Sequence, residues 1–234
     1  MSSRPDLRID WATHAAAKYA VENWHYSKRM PVGKLVKVGA WEGDVFIGCV
    51  VFSWGANRHL AGSFGLPMTE CVELVRVALR GHSAPVSRIV SMAVKFLRRQ
   101  SVGIRLLVSF SDPAHGHHGG IYQAMNWIYS GTTSRVTSFR RGGVTLMRRA
   151  YTGRQFGTGL RAKVPTDAEP FISPGKHRYL YPLDEAMRAQ IAPLSKPYPR
   201  RPKQAMAGTT GTAEGQHLPG RSIESDEVAG AAGR

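Results

Sequence analysis

The chain has 234 residues and sets 32 lysines and arginines against 16 acidic residues, a net charge of +16 at pH 7. That length allows one sizeable core or at most two small ones, and the surplus of charge points to a polyanionic partner, nucleic acid before membrane. No apolar run is long enough to cross a bilayer, no secretory h-region leads the chain, and Cys49 and Cys71 sit in apolar runs without CxxC spacing; a membrane-spanning protein and a disulfide scaffold are excluded, and a reduced, cytoplasmic protein is expected.

In chain order, Asp10 is placed to cap a helix through about residue 26, with Ala15, Ala16, Tyr19 and Ala20 on its apolar face. Residues 35–41 and 45–53 read as strands joined across Glu42-Gly43-Asp44, the second apolar on both sides and so central in a sheet. CVELVRVAL, residues 71–79, is a third strand. Val86, Ile89, Val90, Ala93, Val94 and Leu97 then fall at helical spacing, the clearest helix in the chain. Residues 104–110 form a short buried strand, and strand–helix–strand at this spacing implies a right-handed parallel crossover. A short helix over 120–125 and strands over 128–130, 144–150 and 177–180 complete the pattern. From 192 onward the composition turns to Pro, Gly, Ser and Thr; with few large apolar residues, 192–234 is expected to be a disordered tail on a single domain of residues 1–191.

Asp112 is the only acid between Glu73 and Asp167, a span holding fifteen lysines and arginines. It follows a buried strand, where open α/β sheets place their sites, and suits a general base or the group that orients one; the plain alternative is an Asp-Pro turn bonded to nearby backbone. In SDPAHGHHGGIYQAMNW three histidines follow. His115 and His117 with Asp112 are candidate ligands for zinc or iron, although the spacing matches no standard signature. His118 with Gly119 and Gly120 is the alternative, a place for a phosphate or a developing oxyanion. Tyr122 is either core packing or a proton donor.

A second concentrated passage, NWHYSKRMPVGK, places Trp24, His25 and Tyr26 beside Lys28, Arg29 and Lys34, a combination that suits stacking on bases and neutralising phosphates. Arg135, Arg140, Arg141, Arg148 and Arg149, with no acid among them, suggest phosphate contact rather than a bare solvated face.

The order of strands, long helix, LLVSF and GIYQAMNWIYSG resembles acyltransferases of the GNAT superfamily, in which a tyrosine at the place of Tyr122 serves as general acid. More specifically, NWHYSKRMPVGK, ELVRVAL, APVSRIV and SFSDPAHGHHGGIYQAMNWIYSGTT are similar to the Mom family of phage DNA-modification proteins, over about residues 20 to 182. The resemblance implies an α/β (α+β) GNAT-like domain with a central mixed twisted sheet flanked by helices. It also implies an enzyme that converts adenine in duplex DNA to N6-carbamoylmethyladenine, which hides phage DNA from restriction enzymes in the host cytoplasm. Asp112, Tyr122 and His25 match the family's functional residues; Arg76 and Glu73 stand beside the pocket on the strand over 71–79. One departure bears on the donor: GNAT enzymes grip coenzyme A through Q/R-x-x-G-x-G/A, whereas Arg80-Gly81-His82-Ser83-Ala84-Pro85 lacks the paired glycines and includes a proline without an N–H. That departure tells against ordinary acetyl-CoA binding, and the donor is either acetyl-CoA or a glycine-bearing compound such as aminoacyl-tRNA. A coenzyme A-dependent N-acetyltransferase acting on a protein or small amine, and a non-catalytic DNA-binding module, are the alternatives.

Overall fold

The computed structural model describes residues 6–54, 59–146 and 163–200. It opens on a strand, β1 (Leu7–Trp11), where a helix starting at Asp10 is expected. Leu7 is buried while Arg8 and Asp10 face out, an alternation that suits an edge strand beside β2. Helix α1 (His14–Trp24) is capped by Thr13, whose hydroxyl accepts from the Ala16 N–H at 3.1 Å. It stops at Trp24 because His25 leaves helical geometry.

β2 (Leu35–Glu42) and β3 (Val45–Ser53) form the expected hairpin, turning at Gly43 with φ +58°. β4 (Cys71–Leu79) follows, then α2 (Val86–Gln100), which crosses to β5 (Leu106–Ser111), parallel to β4. α3 (Gly120–Ala124) leads into β6 (Ile128–Thr132). β7 (Val136–Arg141), β8 (Val144–Leu146) and β9 (Glu169–Ser173) make a separate sheet in the order β8-β7-β9. The strand expected over 144–150 is thus β8 in its first part; the rest lies outside the described residues. β10 (His177–Pro182) returns between β5 and β6, and α4 (Glu185–Ile191) is capped by Asp184, which accepts from the Met187 N–H at 2.7 Å.

The main sheet has the order β1-β2-β3-β4-β5-β10-β6 and is antiparallel except between β4 and β5. It is the mixed sheet flanked by helices that the resemblance implies. Alternate residues of β3 face opposite ways. Val50 and Phe52 meet Ile89, Val90, Ala93 and Leu97 of α2, whereas Cys49 and Val51 meet Ala17, Ala20 and Val21 of α1. Met187 and Ile191 of α4 cover Cys71, Leu106, Val108 and Leu180. Each fully buried large aliphatic side chain contributes about 1.5–3 kcal/mol, which is why the apolar stripe of α2 dictates where that helix lies. Both cysteines are buried, unpaired thiols that burial pushes up to about 12, in keeping with core packing.

The ladder between β4 and β5 is short. Residues 71–74 pair with 106–109; beyond Leu74 the register of β4 against β3 shifts, and the last residues of β5, Phe110 and Ser111, pair with Arg178 and His177 of β10. The two parallel strands therefore diverge, and a cleft opens between their ends. Past residue 191 the chain continues against the sheet: the Lys196 N–H donates to the Tyr129 carbonyl at 2.8 Å and Tyr198 Oη to the Trp127 carbonyl at 2.8 Å. A proline-rich composition conceals such isolated anchors. Packing thus extends beyond the domain boundary expected at 191.

Candidate active site

The cleft of about 520 Å³ at the divergence of β4 and β5 is bounded by the end of α1, by residues 74–77, by residues 110–112 and by the 116–122 loop and helix. It brings together Trp24, His25, Tyr26, Arg76, Asp112, His117, His118, Gly119, Gly120 and Tyr122 from three separate stretches of sequence.

His25 is 8% exposed. Its Nδ1 accepts the Ser27 backbone N–H at 3.0 Å and lies 2.8 Å from Ser27 Oγ. A nitrogen that accepts an amide hydrogen carries none of its own, so the neutral ring bears its proton on Nε2. Burial, then the neighbouring Arg76, His117 and Lys28, lower the imidazole to about 4. His25, which lines the cleft, is accordingly neutral at pH 7 with its N–H on Nε2.

Arg76 positions that turn. Its Nε and Nη2 donate to the Arg29 carbonyl, both at 3.3 Å, and its Nη1 to the Val75 carbonyl at 2.7 Å. Lys28 sits in the left-handed region at φ +49° and its ammonium donates to the Asn23 carbonyl at 2.5 Å, at the carbonyl end of α1 where cations are stabilised.

Asp112 does two things. Its Oδ1 accepts from the Ala114 N–H at 3.0 Å, the local Asp-Pro turn, while Oδ2 meets Lys176 Nζ at 3.1 Å. Its side chain is 13% exposed, so the carboxylate is largely enclosed at the cleft's edge. Lys176 escaped the sequence reading because its partner is 64 positions away along the chain; only the pairing of His177 with Ser111 brings it near.

Tyr122 stands against the Trp127 and Tyr179 rings, at 5.1 and 5.0 Å. Ser109 Oγ lies 2.7 Å from its hydroxyl and 2.8 Å from the Leu74 carbonyl, bridging β5, α3 and β4. Burial pushes the phenol up to about 12, so it keeps its proton. Ser109 was also overlooked; the signal was a pair of polar residues, Ser109 and Ser111, at alternate positions of an otherwise apolar strand. Gly119 occupies φ +84°, and a Cβ there would collide with the Tyr179 ring, whose hydroxyl donates to the His118 carbonyl at 2.6 Å.

Several expected roles do not fit this geometry. Asp112, His115 and His117 form no metal centre: among the described residues no group of three or more His, Cys, Asp and Glu side chains is placed to hold an ion. Instead Asp112 pairs with Lys176, and the rings of His115 and His117 lie tilted at 4.8 and 5.1 Å from Tyr26, an aromatic cluster rather than a coordination sphere. Trp24 lines the cleft but packs against Tyr19 and Phe46 with its indole nitrogen buried, which leaves Tyr26, 52% exposed, as the accessible one of the two. Lys34 lies outside the cleft lining, as do Arg135, just before β7, and Arg140 and Arg141 on it; Arg140 stacks 4.8 Å over Phe171 and Arg141 pairs with Asp167 at 2.7 Å. Arg148 and Arg149 lie outside the described residues.

The loop before α2, where the fold resemblance would put a coenzyme's diphosphate, is already bonded. Both oxygens of Glu42 accept the Ser83 N–H at 2.9 Å, and Oε1 accepts the Ala84 N–H at 2.7 Å. Those groups do not fit coenzyme A as they stand. No helix among the described residues is long and apolar enough to cross a membrane.

Comparison with known proteins places this geometry in context. An acetyltransferase of Bacillus subtilis in complex with CoA aligns over 77% of this chain and all of its own, at 13% identity and a TM-score of 0.42. FeeM, an N-acyl amino acid synthase from uncultured soil microbes, aligns over 82% of this chain and 99% of its own, at 12% identity and a TM-score of 0.45. In sequence, the methylcarbamoylase Mom of Escherichia phage Mu is 24% identical over 131 residues, 54% of each chain, so that about half of that relative's length is matched. The model of the Mom protein family matches residues 6–200, nearly the whole of the packed chain, and the chain belongs to that family.

Proposed function

We propose that this chain is a DNA-modifying transferase that converts adenine to N6-carbamoylmethyladenine. The observation that carries the reading is the convergence of His25, Asp112 and Tyr122, from two motifs that resemble the Mom family, on one cleft between β4 and β5. Membership of that family and the methylcarbamoylase activity named for its phage Mu relative supply the reaction class.

The exocyclic amine of adenine is a weak nucleophile held inside the base stack. It has to be extruded and relieved of a proton. Tyr26, exposed at the mouth beside His115 and His117, offers the extruded base a face to stack on. Asp112 is the base that takes the amine proton, and Lys176 Nζ, 3.1 Å from Oδ2, holds its carboxylate in place. The new bond joins N6 to the methylene carbon of a CH2–CO–NH2 unit as that carbon's bond to the donor's leaving group breaks. Asp112 receives the amine proton, Tyr122 gives its own to the departing group and regains one from Asp112 afterwards, while His25 Nε2–H and Arg76 border the cleft where the unit's carbonyl oxygen would lie.

Mass spectrometry of nucleosides from plasmid DNA of cells expressing the protein tests this. Deoxyadenosine heavier by a carbamoylmethyl group is expected with the wild type and at least about 100-fold less with Asp112→Asn, the scale of a lost general base. Unmodified deoxyadenosine alongside abundant, folded wild-type protein overturns the proposal.

A further inference from the structure

Glu42 closes β2 at a point where the register against β3 shifts between Ala40 and Trp41, and the N–H of Gly43 is tied to the Asp6 carbonyl at 2.9 Å. Its carboxylate is thereby delivered across the sheet edge to the segment that opens α2. There it takes four hydrogen bonds: two from the Ser83 N–H, one from the Ala84 N–H, and one from Ser83 Oγ at 3.0 Å. These bonds, the Ser83 N–H first and the Ala84 N–H next, hold the carboxyl below the usual glutamate range although the group is open to water. Pro85, at the N-cap, supplies neither an N–H nor a capping side chain, and Glu42 takes the two N–H groups that directly precede it.

A diphosphate lodged here would need the same N–H groups. It would have to displace Glu42 and then lie against a displaced carboxylate of like charge. Nothing in the loop compensates, since the paired glycines that would widen the backbone approach are absent. We infer that the chain does not anchor a coenzyme A-type donor by its diphosphate: Glu42 is a resident anion that occupies the position, and donor recognition rests on the β4–β5 cleft alone. This deepens the proposed transfer reaction by narrowing its donor class, yet it is read from binding and not from modification, so the two fail separately.

The test uses the full chain labelled with ¹⁵N, following the Ser83 and Ala84 amide signals while coenzyme A, and in a second series inorganic pyrophosphate, is added. In the wild type these signals stay in place up to millimolar ligand. In Glu42→Ala and in Glu42→Gln, each checked for native signals elsewhere, they shift on addition, with affinity raised roughly tenfold or more. Movement of the wild-type signals at the concentrations that move the variants overturns the inference, and so does indifference of all three proteins, which would mean that Glu42 is not what excludes the ligand. The nucleoside measurement above is made independently on the same wild type.

Discussion

At the scale of single residues, His25 shows how position replaces identity as the determinant of chemistry. An exposed histidine would be half charged near pH 6.5; here burial, Arg76, His117 and Lys28 all oppose the charge, and Ser27 N–H occupies Nδ1. Because the folded value, about 4, lies below the unfolded one, the unfolded chain gains a proton first as pH falls. The contribution of His25 to stability is therefore fully present above about pH 6.5 and is lost as pH drops from there toward 4. Denaturant unfolding should show the wild type losing about 1–2 kcal/mol more than His25→Gln across that window, water screening having been allowed for. A long-range ¹⁵N spectrum at pH 7 should show the proton on Nε2; a proton on Nδ1 would contradict the assigned donor. The sequence made His25, Asp112 and Tyr122 visible because each stands in a dense motif. It concealed Ser27, Ser109 and Lys176, which matter through partners in space and have unremarkable neighbours along the chain.

Elements were legible where a strong period coincided with burial. The stripe of α2 and the apolar run of β3 are read directly, since each buries a continuous surface. β1, β7, β9 and α4 were missed because they are short, lie partly open to water, and carry Asp, Arg, Ser or Glu between their apolar residues. No local signal announces that β10 inserts between β5 and β6, although that insertion carries Lys176 to Asp112 and Tyr179 to α3. The turn into α3 tests this dependence of element on element. Gly119→Ala adds a methyl at positive φ and drives it toward the Tyr179 ring, which must move and release the His118 carbonyl. A loss of roughly 1–3 kcal/mol in unfolding free energy is expected, together with lowered modification, because His118 and Tyr122 both border the cleft. A variant as stable as the wild type would show that this contact has room to relax.

For the whole molecule, the surplus of charge needs a surface on which to act, and the topology supplies one near the cleft. The small sheet grows from the connection after β6 and returns at β10, and the Thr133 N–H donates to the Lys176 carbonyl at 2.9 Å, next to the residue that pairs with Asp112. Its basic residues are thus rooted at the end of the main sheet where the proposed chemistry occurs. Their availability differs. Arg135 is exposed, Arg140 is braced on Phe171, and Arg141 is already paired with Asp167. Each phosphate neutralised on duplex DNA steepens the dependence of log affinity on log salt by about 0.9. Arg135→Ala should therefore lower the slope by about that amount and weaken binding similarly for all sequences. Arg141→Ala should lower it by less, since Asp167 has spent part of its charge, and Asp167→Asn should steepen it. The comparison is made by fluorescence anisotropy on one duplex between 50 and 300 mM salt, roughly the range in which counterion release dominates. Equal slopes for wild type, Arg135→Ala and Asp167→Asn would detach the small sheet from DNA and leave the cations of the α1 turn, Lys28 and Arg29 among them, as the surface that holds the duplex.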